Sequence, residues 1–187
     1  MKIININKSY EGKPVLNNVN LELEKGHSYC IMGASGRGKT TLLHILLGLV
    51  KPDSGTLEGF SHKKAAVFQE DRLCEEFSAF INVWMVTNKV EKQTVRKELE
   101  RLLPKESIDA PVSTLSGGMK RRTAIVRALM ADGDIIFMDE PFSGLDEKTK
   151  KNVMDYIKEK TENKTLIMST HNKADAVYME SKVITLD

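Results

Sequence analysis

The sequence feature that most constrains the fold is a glycine-rich segment between a predicted strand and a predicted helix. The segment Gly33-Ala-Ser-Gly-Arg-Gly-Lys39-Thr40 has the spacing G-x-x-x-x-G-K-[ST], and it follows the apolar run 28–32 and precedes a helix predicted at 40–49. Glycines let backbone N–H groups turn inward around a polyphosphate, and the helix N-terminus adds partial positive charge at the same place. The segment therefore predicts a phosphate-binding loop, and a turn that merely caps the helix is the weaker alternative.

The motif also assigns roles to single side chains of this loop. Lys39 is expected to reach the β- and γ-phosphates of a nucleotide, and the Thr40 hydroxyl is expected to bind Mg²⁺. Thr41 is well placed for the α-phosphate, whereas Arg37 occupies a variable position and its side chain should point away from the nucleotide. The nucleotide-binding residues predicted in the loop are Gly33, Ala34, Ser35, Gly36, Arg37, Gly38, Lys39, Thr40 and Thr41.

Two adjacent carboxylates end a second apolar run. Residues 134–138 read Asp-Ile-Ile-Phe-Met, and Asp139 and Glu140 follow before Pro141 ends the run. Ligands bind at the carboxyl ends of strands in open α/β sheets, so Asp139 is expected to bind Mg²⁺ beside the phosphate loop. Because successive strand side chains point to opposite sides, Glu140 is the candidate general base for an attacking water. The alternative is a pair of acids that cap the strand and meet surface water.

A third motif, Leu115-Ser-Gly-Gly-Met119, opens a helix predicted to end near residue 131. Ser116 can cap this helix, and the two glycines leave its N-terminal amides bare for a phosphate. With the phosphate loop and the acidic pair, the motif makes the chain resemble the nucleotide-binding subunits of ATP-binding cassette (ABC) transporters from about residue 2 to its end. The resemblance implies that Ser116, Gly117 and Gly118 contact the ATP of a second subunit, so that two chains enclose two nucleotides head to tail.

The resemblance extends to isolated positions. Tyr10, ahead of Val15, matches the aromatic residue that stacks on adenine, although a lone tyrosine near a strand end is more often a packed residue. Gln69 matches the glutamine that contacts Mg²⁺ and reports the nucleotide state, with a surface amide as the alternative. Asp146 matches a loop at the dimer interface and could equally be only a helix N-cap, and His171 matches the histidine that holds the γ-phosphate and the water in line. The predicted catalytic residues are Lys39, Gln69, Glu140 and His171, and the predicted Mg²⁺ ligands are Thr40, Gln69 and Asp139.

The order of predicted elements indicates one α/β domain. We expect a phosphate-loop NTPase core with a largely parallel sheet, an N-terminal antiparallel β lobe and a short helical arm. The 187 residues, 41% of them hydrophobic, suffice for a single core. The β lobe is predicted at about 1–25 and 55–68 and the helical arm at about 72–131, and the remainder forms the α/β core.

The net charge argues against a nucleic-acid-binding protein, and the hydropathy argues against a membrane-spanning one. The formal net charge of +2 is too small to indicate a nucleic-acid partner, so the basic residues 120–122 and 127 are interpreted as the solvated side of their helix. The longest apolar stretch, 42–50, is far shorter than the roughly 20 residues of a membrane span. The chain begins with no basic leader and apolar stretch, and Cys30 and Cys74 fit reduced thiols, so we expect a cytoplasmic protein with no metal beyond Mg²⁺.

Together these observations predict an ATPase that uses ATP and Mg²⁺, pairs with a second nucleotide-binding subunit, by preference another copy of itself, and drives an integral membrane permease from the inner face of the membrane. The apolar residues Phe77, Phe80, Val83 and Trp84 lie where transport cassettes bind a helix of the permease, or they form the arm's own core. Residues 69–73 and the Leu-Ser-Gly-Gly-Met turn also resemble importers of nitrate, sulfonates and taurine. The alternatives are a soluble cassette that acts as a switch in translation, DNA repair or cofactor assembly, and a nucleotide-binding regulator without useful turnover.

Overall fold

The computed structural model describes residues 1–186. Its strands are β1 (Lys2–Tyr10), β2 (Lys13–Glu22), β3 (Ser28–Met32), β4 (Ser54–Glu58), β5 (Lys64–Val67), β6 (Ile135–Asp139), β7 (Thr165–Ser169) and β8 (Lys182–Thr185). Its helices are α1 (Lys39–Leu47), α2 (Ala79–Trp84), α3 (Lys92–Glu100), α4 (Gly117–Met130), α5 (Glu147–Lys160) and α6 (Lys173–Tyr178). The ends of these elements differ from the predicted ends by a few residues.

Five strands form a parallel sheet in the order β5-β6-β7-β3-β8. Side chains alternate between its two faces, and both faces are covered, so β6 and β7 are buried along their whole length. The phosphate loop follows β3, the acidic pair ends β6 and His171 follows β7. Because the strands are parallel, these segments meet at one edge of the sheet. The predicted fold class, a phosphate-loop NTPase core with a largely parallel sheet, is confirmed.

A separate antiparallel sheet has the order β2-β1-β4. Its buried side chains, including those of Ile3, Ile6 and Leu16, pack with α1 and with Ile31 and Phe137 of the parallel sheet. The structure differs from the prediction at residues 64–67, which were placed in this lobe. They form β5, at the edge of the parallel sheet beside β6, because their backbone groups pair with residues 135–138.

The helical arm covers the other face of the parallel sheet. Its helices α2 and α3 pack on α4, which also contacts β5 and α5. Cys30, Met138 and Met168 point from the sheet into this second core, where they meet Ile125 of α4 and Met154 of α5. The arm is therefore joined to the parallel sheet through α4, and the loop 68–78 connects the end of β5 to α2.

The two longest helices, α4 and α5, have 14 residues each. Within residues 1–186, no helix has both the length and the apolar composition that crossing a bilayer requires.

Candidate functional site

The loop between β3 and α1 forms a cradle with an exposed backbone. Gly36 and Gly38 have φ angles of 82° and 83°, in the left-handed region that favours glycine, and a Cβ atom on Gly38 would lie 2.9 Å from the Val15 carbonyl oxygen. Lys39 Nζ donates hydrogen bonds to the carbonyl oxygens of Gly33 (2.9 Å) and Ala34 (3.1 Å). The first turn of α1 has neither a side-chain cap nor an acidic residue. Its free amides and the Lys39 ammonium therefore lie together at one anion-binding position.

A cavity of about 220 Å³ opens beside this cradle. It is lined by residues from β2, the loop and α1, the end of β5 and the end of β6, and all ten were predicted as site residues: Val15, Ser35, Gly36, Gly38, Lys39, Thr40, Thr41, Gln69, Asp139 and Glu140. The structure thus brings the phosphate loop, the glutamine and the acidic pair to one place.

Other predicted nucleotide contacts lie outside the lining of this cavity. Gly33 and Ala34 supply the carbonyl groups that hold Lys39. Tyr10 ends β1 with 46% of its surface exposed, so it is not the packed residue of the alternative interpretation. Arg37 is exposed and lines a second cavity with Leu186 and residues of β2.

Asp139 is buried, with 4% of its surface exposed, and its two carboxylate oxygens differ. Oδ1 accepts a hydrogen bond from Ser169 Oγ at 2.5 Å, whereas Oδ2 has no hydrogen-bond partner among the described residues. A buried carboxylate oxygen is stable only with a donor or a cation. Thr40 and Gln69 line the same cavity, so the available donors are a carboxylate, a hydroxyl and an amide, a set of oxygen ligands that suits Mg²⁺. The residues present therefore fit the predicted ion.

Glu140 and His171 contact each other at the ends of neighbouring strands. Glu140 Oε2 lies 3.1 Å from His171 Nδ1, and the His171 side chain is 78% exposed while that of Glu140 is 20% exposed. Glu140 has a φ angle of 47°, which is uncommon for a residue with a side chain. Its backbone N–H donates to Ser169 Oγ at 3.0 Å. The carboxylate thus lines the cavity while an exposed imidazole lies within hydrogen-bond distance.

The turn before α4 lies apart from this cavity. Ser116 caps α4 as predicted, because its Oγ accepts a hydrogen bond from the Met119 N–H at 3.3 Å. Gly117 is exposed, and a Cβ atom on Gly118 would lie 3.5 Å from the Leu145 side chain. Within one chain this turn therefore packs beside the loop that precedes α5, and its contact with a second subunit remains a prediction.

Asp146 is the N-cap of α5. Its Oδ1 accepts a hydrogen bond from the Thr149 N–H at 3.0 Å. Hydrogen bonding to the Thr149 side chain and then to its N–H lowers the pKa of the carboxyl group. The capping role that was left open is thus present, and a contact with a second subunit remains a prediction.

The interpretation of the basic residues on α4 as a solvated surface was wrong for its arginines. Arg121 is buried and donates to the carbonyl oxygens of Phe68 (2.6 Å) and Gln69, and Arg127 donates to those of Asp71 (3.0 Å) and Arg72 (2.8 Å). The loop after β5 lies over α4, and its carbonyl groups need donors. Helix α4 contains no acidic residue, so its arginines lack carboxylate partners one turn away, which is the signal that sequence reasoning missed.

Arg122 has a different use. Its guanidinium donates to the carbonyl oxygens of Gly118 (3.0 Å) and Leu102, which joins the first turn of α4 to the end of the arm. Burial lowers its pKa. Only Lys120 reaches outward, to the Glu75 carboxylate at 2.9 Å.

The apolar residues after Gln69 divide into two groups. Phe80 and Val83 are buried and form part of the arm's core, as one of the two interpretations predicted. Phe77 and Trp84 are 49% and 39% exposed, and the exposed residues 85 and 86 extend this patch. The arm therefore presents an apolar surface next to the loop that carries Gln69.

Known proteins resemble the chain over nearly its whole length. Residues 16–143 match the family model described as ABC transporter. The chain is 33% identical over 203 residues to the ergothioneine transport ATP-binding protein EgtV of Helicobacter pylori (strain G27), covering 98% of this chain and 95% of that protein. It is 33% identical over 182 residues to the aliphatic sulfonates import ATP-binding protein SsuB 2 of Pseudomonas syringae pv. tomato, covering 96% and 78%.

Solved structures with a similar fold are also known. A dimeric structure of an ATP-binding cassette in a post-hydrolysis state, bound to ADP and Pi, matches with a TM-score of 0.87 at 29% identity, covering 100% of this chain and 94% of that chain. The range matched by the family model, 16–143, spans the phosphate loop, the acidic pair and the turn at Ser116.

Proposed function

The chain belongs to the ABC transporter family as an ATP-hydrolysing, nucleotide-binding subunit, and we propose that two copies enclose two MgATP and drive a separate membrane permease that imports small molecules. The observation that carries this proposal is the single cavity that joins the phosphate loop to Gln69, Asp139 and Glu140. These groups supply phosphate binding, metal ligation and a base in one place, which are the components that phosphoryl transfer to water requires.

The phosphate loop holds the nucleotide in the proposed mechanism. Lys39 and the free amides of α1 bind the β- and γ-phosphates, and Thr41 addresses the α-phosphate. Thr40, Gln69 and Asp139 hold Mg²⁺, and the ion when bound supplies positive charge that offsets the charge on the phosphate oxygens. Tyr10 and Val15 lie near the adenine. Most of the rate enhancement then comes from fixed positioning and charge rather than from covalent chemistry.

Glu140 acts as the general base. Its carboxylate lines the cavity and accepts a hydrogen bond from the attacking water. It receives the water proton as the bond from the water oxygen to the γ-phosphorus forms and the bond from that phosphorus to the bridging oxygen of the leaving ADP breaks. His171, 3.1 Å from this carboxylate, orients it and contacts the γ-phosphate with its exposed ring. Gln69 lines the cavity and lies in the loop that follows β5, which the arginines of α4 hold through its carbonyl groups. A contact between Gln69 and the nucleotide therefore acts directly on this loop.

The second subunit completes each site. The cavity of one chain is not lined by its own Ser116, Gly117 or Gly118. These residues form the N-terminus of the 14-residue helix α4, whose first turn contains no acidic residue. A helix N-terminus of this kind binds phosphate. We assign it, with Asp146, to the nucleotide of the partner subunit. The dimeric form of the matching cassette structure supports this arrangement.

The exposed apolar patch of Phe77 and Trp84 is the surface for the permease, and the protein is peripheral on the cytoplasmic face of the membrane. The patch directly follows the Gln69 loop, so movement at the nucleotide is transmitted there by a short path. Import is favoured because several similar relatives are named for import, of sulfonates, taurine and spermidine/putrescine, against one that is named for Nod factor export.

The role of Glu140 is tested by phosphate release from Glu140→Gln protein. Amide for carboxylate keeps the shape and removes the base, so turnover should fall by a factor on the order of 10² to 10⁴ while MgATP binding persists. The matched control is Glu162→Gln, an exposed carboxylate in the turn after α5, which should keep parental turnover. Near-parental turnover of Glu140→Gln would remove Glu140 from this role.

The transport role is tested by capturing tagged Glu140→Gln protein from its own cells with MgATP in mild detergent. Recovery of an integral membrane protein in stoichiometric amount is the expected result. Recovery with ribosomes, DNA or an assembly factor, and without a membrane protein, would contradict the transport role. The control is the same capture with Lys39→Ala protein, which should not retain the nucleotide-dependent partner.

A further inference from the structure

A buried hydroxyl lies between the two acids of the site. Ser169 is the last residue of β7 and has no exposed surface, and the sheet register places it directly beside Asp139. Its Oγ is 2.5 Å from Asp139 Oδ1 and 3.0 Å from the Glu140 backbone nitrogen. One oxygen atom therefore contacts the proposed Mg²⁺ ligand and the residue proposed as the base.

The direction of both hydrogen bonds follows from the groups involved. The Glu140 N–H can only donate, so the Ser169 oxygen is its acceptor. The carboxylate of Asp139 can only accept, so the single hydroxyl proton of Ser169 goes to Oδ1. Bonds of this type to an ionised group are the stronger ones in proteins. The Ser169 hydroxyl thus makes one hydrogen bond to each of the two acidic residues.

The bond to Asp139 decides which oxygen is free. With Oδ1 occupied by Ser169, Oδ2 is the oxygen left without a hydrogen bond among the described residues, and Asp139 lines the same cavity as Thr40 and Gln69. A side chain without a donor at position 169 would leave the carboxylate free to rotate and would leave two buried oxygens without partners. The hydroxyl therefore selects one orientation of the carboxylate.

The bond to Glu140 acts on the backbone. A φ angle of 47° is unfavourable for a residue with a Cβ atom, and such conformations persist only when the surroundings hold them. The Ser169 oxygen holds the N–H of this residue in place. The neighbouring side-chain contact, from Glu140 Oε2 to His171 Nδ1, depends on the same backbone geometry.

We propose that Ser169 is a positioning residue for both acids, which fixes the Asp139 carboxylate toward the metal and holds the Glu140 backbone in its left-handed conformation. The inference rests on the proposed roles of these two acids. It predicts that loss of the hydroxyl reduces turnover and weakens the response to Mg²⁺ while metal-free nucleotide binding at the phosphate loop is retained.

The test compares three variants at position 169 with one control. Ser169→Ala removes the hydroxyl, Ser169→Cys keeps the volume with a weak donor, and Ser169→Thr keeps the hydroxyl with a side chain that suits strands. Ser107→Ala removes another buried hydroxyl, whose Oγ donates to the Pro104 carbonyl at 2.7 Å away from the site. Four quantities are measured: kcat, the Mg²⁺ concentration at half-maximal rate, the dissociation constant of a fluorescent ATP analogue without Mg²⁺, and the urea midpoint of unfolding.

For Ser169→Ala we expect kcat to fall about 10- to 100-fold, the loss that corresponds to one hydrogen bond to a charged group. The half-maximal Mg²⁺ concentration should rise at least about threefold, and analogue affinity without Mg²⁺ should stay within about twofold of the parent, because the phosphate loop is untouched. Ser169→Thr should recover kcat to within about threefold, and Ser107→Ala should keep parental kcat and Mg²⁺ dependence.

Three results would overturn the inference. The first is parental kcat and Mg²⁺ dependence in Ser169→Ala, or in Ser169→Cys if the alanine variant does not fold. The second is an equal loss in Ser107→Ala, and the third is a folded Ser169→Thr that recovers nothing, since the loss would then follow shape. Glu140→Gln, measured in the same experiment, distinguishes a failure of the proposed function from a failure of this inference. If Glu140→Gln retains turnover, the assignment of Glu140 as the base is wrong. If Glu140→Gln is inactive and Ser169→Ala is unaffected, only the positioning role of Ser169 is refuted.

Discussion

Replacing Arg121 by methionine should destabilise the protein by about 2–4 kcal/mol, because two backbone carbonyl groups lose their donor and the Asp71 carboxylate loses the cation beside it. Arg121 is 7% exposed and donates to the carbonyl oxygens of Phe68 and Gln69, and its Nε lies 3.1 Å from Asp71 Oδ1. The half-buried Phe68 carbonyl would be left without a donor, at about 1–3 kcal/mol. The exposed Gln69 can recruit water, so its carbonyl adds little.

The third partner is the Asp71 carboxylate, and its part of the loss is expected to depend on pH. Burial raises the pKa of Asp71 above its ordinary value of 3.8, while the charge of Arg121 works in the opposite direction. Without Arg121 the pKa of Asp71 rises further. A group whose folded pKa is raised stabilises the fold at low pH, and that stabilisation is lost as pH rises from 3.8 through the folded pKa. The deficit of Arg121→Met should therefore be larger at neutral pH than near pH 4.

The assay is urea unfolding followed by circular dichroism and by the fluorescence of Trp84, the single tryptophan, which lies in the arm that packs on α4. A loss near 3 kcal/mol would lower Tm by about 6–12 °C in a domain of this size. The control is Lys120→Met on the neighbouring residue, whose ion pair reaches the exposed Glu75 and should contribute below about 1 kcal/mol. Arg121→Met stability within about 0.5 kcal/mol of the parent, at both pH values, would refute the reasoning.

Three further predictions concern other parts of the chain. Gly38→Ala should weaken binding of a fluorescent ATP analogue by at least about tenfold, because the new Cβ atom would lie 2.9 Å from a backbone oxygen. The control Gly36→Ala places its Cβ atom more than 4 Å from any atom beyond its chain neighbours and should weaken binding less, so equal losses of affinity in the two variants would contradict the prediction. Asn82→Ala should cost about 2–4 kcal/mol in urea unfolding, because its fully buried amide holds the loop before α2 through four hydrogen bonds, and a loss below about 0.5 kcal/mol would contradict that role. Burial raises the pKa of Cys30 to about 12 while Cys74 is exposed, so Ellman's reagent at neutral pH should titrate one thiol in the native protein and two in urea, and two native thiols would be the contrary result.

Eight of the ten residues that line the cavity could be identified from local patterns in the sequence, whereas Val15 and Gln69 were predicted only through the family resemblance. The phosphate loop has a fixed spacing between a strand and a helix, and Asp139 and Glu140 stand at the end of an apolar run. Parallel strands then bring such ends together without further information. The N-caps at Ser116 and Asp146 were also within reach, since capping depends on neighbours three residues away.

The features that could not be predicted from the sequence depend on contacts between residues that lie far apart along the chain. Residues 64–67 could not be assigned to the parallel sheet from their own composition, because their partner strand lies about 70 residues later in the chain. Ser169 reads as an ordinary strand residue until the register places it beside Asp139. Arg121 and Arg127 read as a solvated surface because the carbonyl groups that they bind belong to a distant loop.

The most direct test of the central claim, that each active site is shared between two subunits, is complementation between two inactive variants. Lys39→Ala removes the ammonium that is proposed to bind phosphate and keeps the turn at Ser116, whereas Ser116→Arg blocks that turn and keeps the phosphate loop. A mixed dimer contains one site in which both parts are intact.

Phosphate release is measured for each variant alone and for an equimolar mixture, after both are shown to fold and Ser116→Arg is shown to bind ATP. Since half of randomly formed dimers are mixed and each has one complete site of two, the account predicts recovery to about a quarter of the parental rate. A mixture no more active than its separate components would contradict the shared site.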